Sequence, residues 1–259
     1  MTTYIHGKTD SREVARLEKQ AVLIAEATLP AFDAAPGMRV LDLATGVGAM
    51  AGHLLTRFPG IELVGIDLRL SQLASARANH PQASYVQGNG ERLPFRDASF
   101  DRVHCSWLLE HVEAPVAILR EVRRVLKPGG RCQFIEVDNA SFLTEPALPE
   151  VKEAMDALNQ AQIAGGGDPF IGPKLTRLFQ EAGFPQVQTR PLPMSAEASK
   201  PVEFEAFIEE FAEIFESVDE VLGADRQALL ESAARALRSL RAVPNARMAY
   251  TGWLAHASV

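Results

Sequence analysis

The run DLATGVG at positions 42–48 holds the densest chemistry in the chain. Gly46 and Gly48 let a backbone come close to a ligand where a Cβ would collide. A helix expected to open at Ala49 adds unpaired N–H groups at the same place. The residues Arg39–Leu43 that lead into the turn read as a buried strand, and a strand–turn–helix of this kind puts a ligand outside the carboxyl end of an open α/β sheet. A second carboxylate, Asp67, closes the run VGID 21 residues after Gly46 and is placed to accept both hydroxyls of an adenosine ribose. Gly46-x-Gly48-x-x-Ala51 also satisfies the loose dinucleotide pattern, so a nicotinamide cofactor stands as an alternative. Asp42 argues against it. A carboxylate four residues before the first glycine can hold a cationic ligand or orient the loop, whereas it would repel a pyrophosphate.

Other polar residues divide into functional and structural readings. His111 falls just past the fourth expected strand, where it could serve as a general base or simply pack a turn. His6 could reach the same mouth. His53, His80, His104 and His256 lie in expected helices or strands and read as structural. Asp138-Asn139 follows the fifth strand, and Cys105-Ser106 at the end of the fourth adds no acid to it, so an oxygen-rich metal site would be incomplete and no metal is expected. Phe204, Phe207, Phe211 and Phe215 share one helical face. Phe204 and Phe207, nearest the hinge, are expected to face a substrate, and Phe211 and Phe215 to pack into the domain.

The elements that must position these residues follow from hydrophobic periodicity. Strands are expected at Arg39–Leu43, Glu62–Ile66, Ala83–Val86, Asp101–Cys105 and Arg131–Val137, alternating with helices near Ala49–Arg57, Leu70–Asn79 and Val116–Leu126. That alternation argues for a doubly wound, mostly parallel sheet. After Asp138 the rhythm changes. Helices at Glu150–Ile163 and Lys174–Glu181 precede a strand at Pro185–Pro191. Two helices follow, from Pro201 to about Val218 and from about Asp225 to Leu240, and Met248–Ala255 closes the chain as a strand. The expectation is one α/β domain over 1–259 with seven strands. Residues 30–140 form its cofactor-binding core, 1–30 a helical cap, and 140–175 and 195–242 cap and lid segments. The last of these is an insertion between the final two strands, folded over the sheet's carboxyl end.

The combined motifs resemble those of the class I S-adenosylmethionine-dependent methyltransferases. DLATGVG is similar to that family's first motif, usually Asp-x-Gly-x-Gly-x-Gly, with Ala44 in place of the first glycine. GNGERLPF at 88–95 and SFDRV at 99–103 resemble the run typical of the subgroup containing the quinone-biosynthesis C-methyltransferases, with Asn89 where the family usually has Asp. LEHV at 109–112 and LKPGG at 126–130 complete the pattern, which covers about residues 38–137. The resemblance implies a Rossmann-like fold and methyl transfer from S-adenosylmethionine to a small molecule. It implies cofactor contacts from Tyr4, Arg16, Asp42, Ala44, Thr45, Gly46, Gly48, Asp67, Leu68, Asn89, Gly90, Glu91 and Ser106. Tyr4 would cover the sulfonium, Arg16 would pair with the methionine carboxylate, and the Asn89 carbonyl oxygen would accept from the adenine amino group. His6, Trp107, Phe204 and Phe207 would meet the acceptor, and His111 would be the base. A scaffold that binds the cofactor without turnover remains the second reading.

Composition narrows the partners. The formal charge is −7, with 26 Lys and Arg against 33 Asp and Glu and no basic block, so nucleic acid is not an expected partner. Cys105 and Cys132 are too few for a disulfide framework and fall in apolar runs, which suits a reducing, cytoplasmic setting. The first eight residues lack the apolar stretch of a leader, and no segment approaches the roughly 18 apolar residues of a membrane span. The oligomeric state and the acceptor's identity are left open by the residues.

Overall fold

A computed structural model describes residues 11–218 and 224–259. Seven strands, β1 (Arg39–Leu43), β2 (Glu62–Asp67), β3 (Ser84–Gln87), β4 (Phe100–Ser106), β5 (Leu126–Glu145), β6 (Gln186–Glu197) and β7 (Arg247–Ser258), make one sheet in the order β3-β2-β1-β4-β5-β7-β6. The first five run parallel, and β7 runs antiparallel between β5 and β6. The chain builds outward from β1 to β3 and then returns to lay β4 beside β1. Strand order therefore reverses between β1 and β4, and that switch point is where open α/β sheets bind ligands.

Helices cover both faces because the strands are apolar on both. On one face α4 (Pro115–Val125) and α6 (Leu175–Glu181) bury Ile118, Leu119, Val122 and Phe179 against Leu41, Leu43, Val103 and Phe134. On the other, α1 (Ser11–Thr28) and α2 (Ala49–Arg57) bury Ala21, Ile24, Met50 and Leu54 against Val40 and Leu63. The remaining helix of the core, α3 (Leu70–Asn79), follows β2 and ends at the segment leading to β3. Its Ala76 side chain would lie 3.0 Å from a Cβ at Gly48, so that glycine is demanded by helix packing rather than by a ligand.

The expected insertion between the last two strands consists of α7 (Pro201–Glu216) and α8 (Ala224–Ser239). Together with α5 (Pro149–Ala164) they form a second apolar cluster with the far ends of β5 and β7. All four phenylalanines of the α7 stripe are buried. Arg238 is ion-paired to Glu209 at 2.9 Å and also to Glu216, and Arg241 to Glu205 at 2.6 Å, which staples α8 and the turn after it to α7. Arg16 of α1, 5% exposed, pairs with Glu210 of α7 at 3.2 Å. The first helix and the α7–α8 pair are thereby joined.

Several boundaries depart from expectation: the fifth strand opens at Leu126 rather than Arg131, and the sixth runs past Pro191 to Glu197. The fifth strand does not end at Val137 but continues to Glu145, because β7 is long enough to pair with it throughout. The β5–β7 register shifts between Asp138 and Leu143, so the intervening residues bulge. Ser141 pins the bulge, its hydroxyl donating to Asp138 O at 2.6 Å and accepting from Thr251 N at 2.8 Å. Bulges re-aim side chains next to sites, and this one turns Asn139 toward α5. Among the described residues no helix is long and apolar enough to cross a membrane.

The lid cluster generates a first prediction. Phe215 is 0% exposed, so Phe215→Ala should cost about 3–5 kcal/mol of unfolding free energy, read from denaturant titration. A loss below about 1 kcal/mol would show that the α7 stripe is not packed as core.

Candidate active site

The β1–α2 turn is built around Asp42. This side chain, 2% exposed, takes the Thr45 hydroxyl proton on Oδ2 at 2.6 Å and lies 2.9 Å from His104 Nδ1 through Oδ1. Thr45 N donates to Ile66 O at 3.0 Å, tying the turn to β2. Ala44, Gly46 and Gly48 all have positive φ, at 58°, 55° and 84°. Ala44 thus holds a left-handed conformation that costs a residue with a Cβ roughly 1–2 kcal/mol. At Gly46 an added Cβ would meet only Gln72 Oε1, at 3.7 Å. The space above Gly46 is an open cradle, while the space at Gly48 is filled by α3.

Asp67, the last residue of β2, accepts from Gly46 N and from Arg69 N, each at 2.9 Å. Burial pushes its carboxyl above the usual carboxylate range, against the pull of the N–H groups of Arg69 and Gly46. Leu68 beside it is 66% exposed, an apolar side chain open at the mouth. Beyond β3, Asn89 Oδ1 accepts from Glu91 N at 2.9 Å in a side-chain turn, which leaves that oxygen a second lone pair. Gly90 follows it, bordered by Ile118 and Leu43. Ser106 ends β4, one residue past the last β1–β4 pair, with Oγ 3.4 Å from His104 Nε2. Asp67, Leu68, Asn89, Gly90, Glu91, Ser106 and the 44–48 turn therefore share the carboxyl edge of the sheet. Tyr4 and His6 lie outside the described residues. Arg16 is turned to Glu210, so the sequence expectation of a carboxylate partner from the cofactor competes with an ion pair already present.

A second polar group lies beyond β4 and β5. Trp107 has a positive φ of 53° and donates its N–H to Ile135 O at 2.9 Å. The turn that follows, Leu109–His111, is held by Glu136 of β5. This carboxylate, 0% exposed, accepts from Leu109 N at 2.8 Å and from Leu108 N and Glu110 N at 3.2 Å. Burial and the neighbouring Glu110 push Glu136 up to about 8, against the pull of those three N–H groups. Gln162 of α5 donates to Glu110 O at 3.0 Å and to Glu110 Oε2 at 2.8 Å. His111 Nε2 lies 3.6 Å from Glu110 Oε1.

One turn back on α5, Asn159 Oδ1 accepts from Asn139 Nδ2 at 2.8 Å, and Asn139 Oδ1 accepts from Tyr250 of β7 at 3.0 Å. Burial, then Glu110 and Asp138, hold the Tyr250 hydroxyl well above its ordinary value. The Phe211 ring lies tilted at 4.5 Å from Phe142 and 5.2 Å from Phe207 and meets Tyr250 edge-on at 5.4 Å. Phe211, expected in the domain packing, thus shares this aromatic group with Phe207, and Phe204 is 3% exposed among the helices.

Sequence reasoning missed His104, Glu110, Glu136, Gln162 and Tyr250. The signal for two of them was legible: a histidine between Val103 and Cys105 and a glutamate between Ile135 and Val137, each flanked by apolar strand residues, must be paired to be buried. Among the described residues no group of three or more His, Cys, Asp or Glu is arranged to hold a metal ion.

Comparison with known proteins follows the same residues. A family profile described as a methyltransferase domain matches residues 41–134. A demethylmenaquinone methyltransferase of Streptomyces griseus is 32% identical over 185 residues, which cover 67% of this chain and 80% of that protein. Another, of Beutenbergia cavernae, is 41% identical over 123 residues, and the match spans about half of each chain, 48% of both. The phosphoethanolamine N-methyltransferase 2 of Haemonchus contortus, solved with S-adenosyl-L-methionine, superimposes with a TM-score of 0.64 at 17% identity. That match covers 99% of this chain and 59% of the worm enzyme and speaks to the fold.

Glu136 generates the second prediction. Its carboxyl sits at about 8 when folded against an ordinary 4.5, so the folded state binds the proton more tightly and stability declines as pH rises from about 4.5 to about 8. Glu136→Gln, which removes the ionisable group together with one of the two acceptor oxygens, should compare more favourably in melting temperature with the unsubstituted protein at about pH 8.5 than at about pH 5.5. An equal shift at both pH values would contradict a carboxyl protonated by burial.

Proposed function

The chain belongs to the class I S-adenosylmethionine-dependent methyltransferases, and from that premise we propose that it transfers a methyl group from this cofactor to a small-molecule acceptor. The observation that carries the reading is the open cradle above Gly46, with the Asp67 carboxylate 2.9 Å from the Gly46 N–H. The residues fit the cofactor. Asp67 takes the ribose hydroxyls, exposed Leu68 covers one face of the adenine, and Asn89 Oδ1 has a lone pair for its amino group. A nicotinamide enzyme would account for Gly46, Gly48 and Asp67 but not for the run from Gly88 to Val103.

When bound, S-adenosylmethionine supplies an electrophilic sulfonium methyl, and the protein's task is to hold an acceptor roughly 3–3.5 Å from that carbon in line with the breaking bond. The acceptor lies between the 107–111 turn, the β5 bulge and α7. Trp107, Phe207 and Phe211 give it apolar walls. Glu110 and Asp138 disfavour an anion there, so the acceptor is uncharged or cationic with an apolar body. His111, whose Nδ1 lies 3.4 Å from the Gln162 amide nitrogen and whose Nε2 lies 3.6 Å from Glu110 Oε1, receives the acceptor's proton at Nδ1, and Glu110 favours the resulting imidazolium. Glu136 acts only through the backbone, fixing the turn that carries both.

Incubation with S-adenosylmethionine and a panel of hydroquinones, phenols and amines tests this reading. Release of S-adenosylhomocysteine with an acceptor one CH₂ heavier is expected, and failure to bind S-adenosylhomocysteine at all would overturn it. Two substitutions separate the half-sites. Asp67→Asn should weaken S-adenosylhomocysteine binding about 10-fold or more, corresponding to roughly 1.5–3 kcal/mol for a charge-assisted hydrogen bond, in calorimetric titration. Phe207→Ala should lower turnover while leaving that dissociation constant nearly unchanged. Loss of melting temperature with normal turnover in the folded fraction would instead make Phe207 core.

A further inference from the structure

We propose that Asp42, His104 and Ser106 form a hydrogen-bond chain that turns the Ser106 oxygen outward as an acceptor for the α-ammonium group of the bound cofactor, with His104 as its positioning residue. The proposal rests on the cofactor reading above.

The sheet register brings the three together. Asp42 is the β1 partner of His104 on β4, and Ser106, two residues further, projects to the same face just beyond the last pair, Leu43 with Cys105. That face is the one covered by α1 and α2, and Phe32 meets the imidazole edge-on at 5.9 Å. His104 is 0% exposed. A buried imidazole in an apolar strand costs free energy unless its polar atoms are satisfied, and a valine would fill the place without that cost. Its partners here are specific: Asp42 on Nδ1 at 2.9 Å and Ser106 on Nε2 at 3.4 Å.

Hydrogen-bond direction then follows by elimination. A carboxylate has only lone pairs to offer, and Asp42 Oδ2 already takes the Thr45 hydroxyl proton. Oδ1 therefore accepts from Nδ1, which places a proton there, and in the neutral imidazole leaves Nε2 a bare lone pair. The single Ser106 proton is drawn to Nε2. What Ser106 Oγ presents beyond the chain is lone pairs alone, at the end of β4 beside the 44–48 turn. The group that matches is a cationic N–H donor. S-adenosylmethionine and S-adenosylhomocysteine both carry one on the amino-acid end, whereas their carboxylate would meet only acceptors. The charge of Asp42 reaches the cofactor through this chain rather than by contact, which explains how a carboxylate 2% exposed serves a ligand at the mouth.

Two probes test it in calorimetric titrations: S-adenosylhomocysteine, and 5′-methylthioadenosine, which keeps the adenosine and thioether but lacks the amino-acid end. Ser106→Ala and His104→Leu should each weaken S-adenosylhomocysteine about 10-fold, as expected for one charge-assisted hydrogen bond, and leave 5′-methylthioadenosine within about 2-fold. The double variant should be no weaker than either single one. His104→Gln, which keeps an N–H for Asp42 and a lone pair for Ser106, should regain most of the affinity. Equal losses for both probes, or additive losses in the double variant, would overturn the chain and leave His104 a packing residue. If His104→Leu does not fold, Ser106→Ala and His104→Gln decide: a loss confined to S-adenosylhomocysteine in the first with near-normal binding in the second supports the proposal, and any other pattern overturns it. Absence of binding by both probes to the unsubstituted protein would overturn the cofactor reading itself and this proposal with it.

Discussion

Asp42 is a carboxylate buried in the central strand at the point where strand order reverses, with a donor on each oxygen. An unpaired charge in that position would cost several kcal/mol, so the two partners are obligatory, and each fixes a different element. Thr45 sets the course of the β1–α2 turn, and with it the left-handed residues Ala44 and Gly46. His104 locks the end of β4 to β1. The cradle above Gly46 and the β4 terminus that closes it are thus positioned by one side chain. A second buried carboxylate repeats the device one strand further on, where Glu136 gathers three backbone N–H groups and shapes the 107–111 turn.

Around these two anchors the variable parts of the chain are arranged by apolar packing. The long pairing of β5 with β7 carries both strands past the rest of the sheet, and the bulge after Asp138 brings Asn139 to face α5 and Tyr250. The helices α5, α7 and α8 bury their apolar faces, Phe207 and Phe211 among them, against this extension. The Arg16–Glu210 pair couples α1 to α7, so movement of the lid would have to carry the cap or break a buried ion pair.

Much of the cofactor half was legible in the residues because it depends on local sequence. A strand ending in DLATGVG, a helix at Ala49 and an acid closing the next strand are short-range signals, and their boundaries agree with the expected ones to within a residue. The contacts between distant segments were less so. His104 and Glu136 owe their partners to strand register, which no single segment states. Gln162 reaches Glu110 across 52 residues, and Tyr250 reaches Asn139 across 111. The end of β5 was placed too early for the same reason: its continuation is dictated by β7, more than a hundred residues away. Gly48 shows the converse. Read from spacing it makes room for a ligand, but its neighbour is Ala76 of α3.

The central claim is that the edge formed by the 44–48 turn, Asp67 and Ser106 is a cofactor site organised from below by Asp42. A crystal structure of the full chain with S-adenosylhomocysteine tests it most directly. The expected result is the ligand lying over Gly46, with its ribose hydroxyls within hydrogen-bond distance of the Asp67 carboxylate and the Asp42–Thr45 and Asp42–His104 contacts unchanged. Ligand bound elsewhere on the molecule, or Asp42 turned out of the strand to meet it, would contradict it.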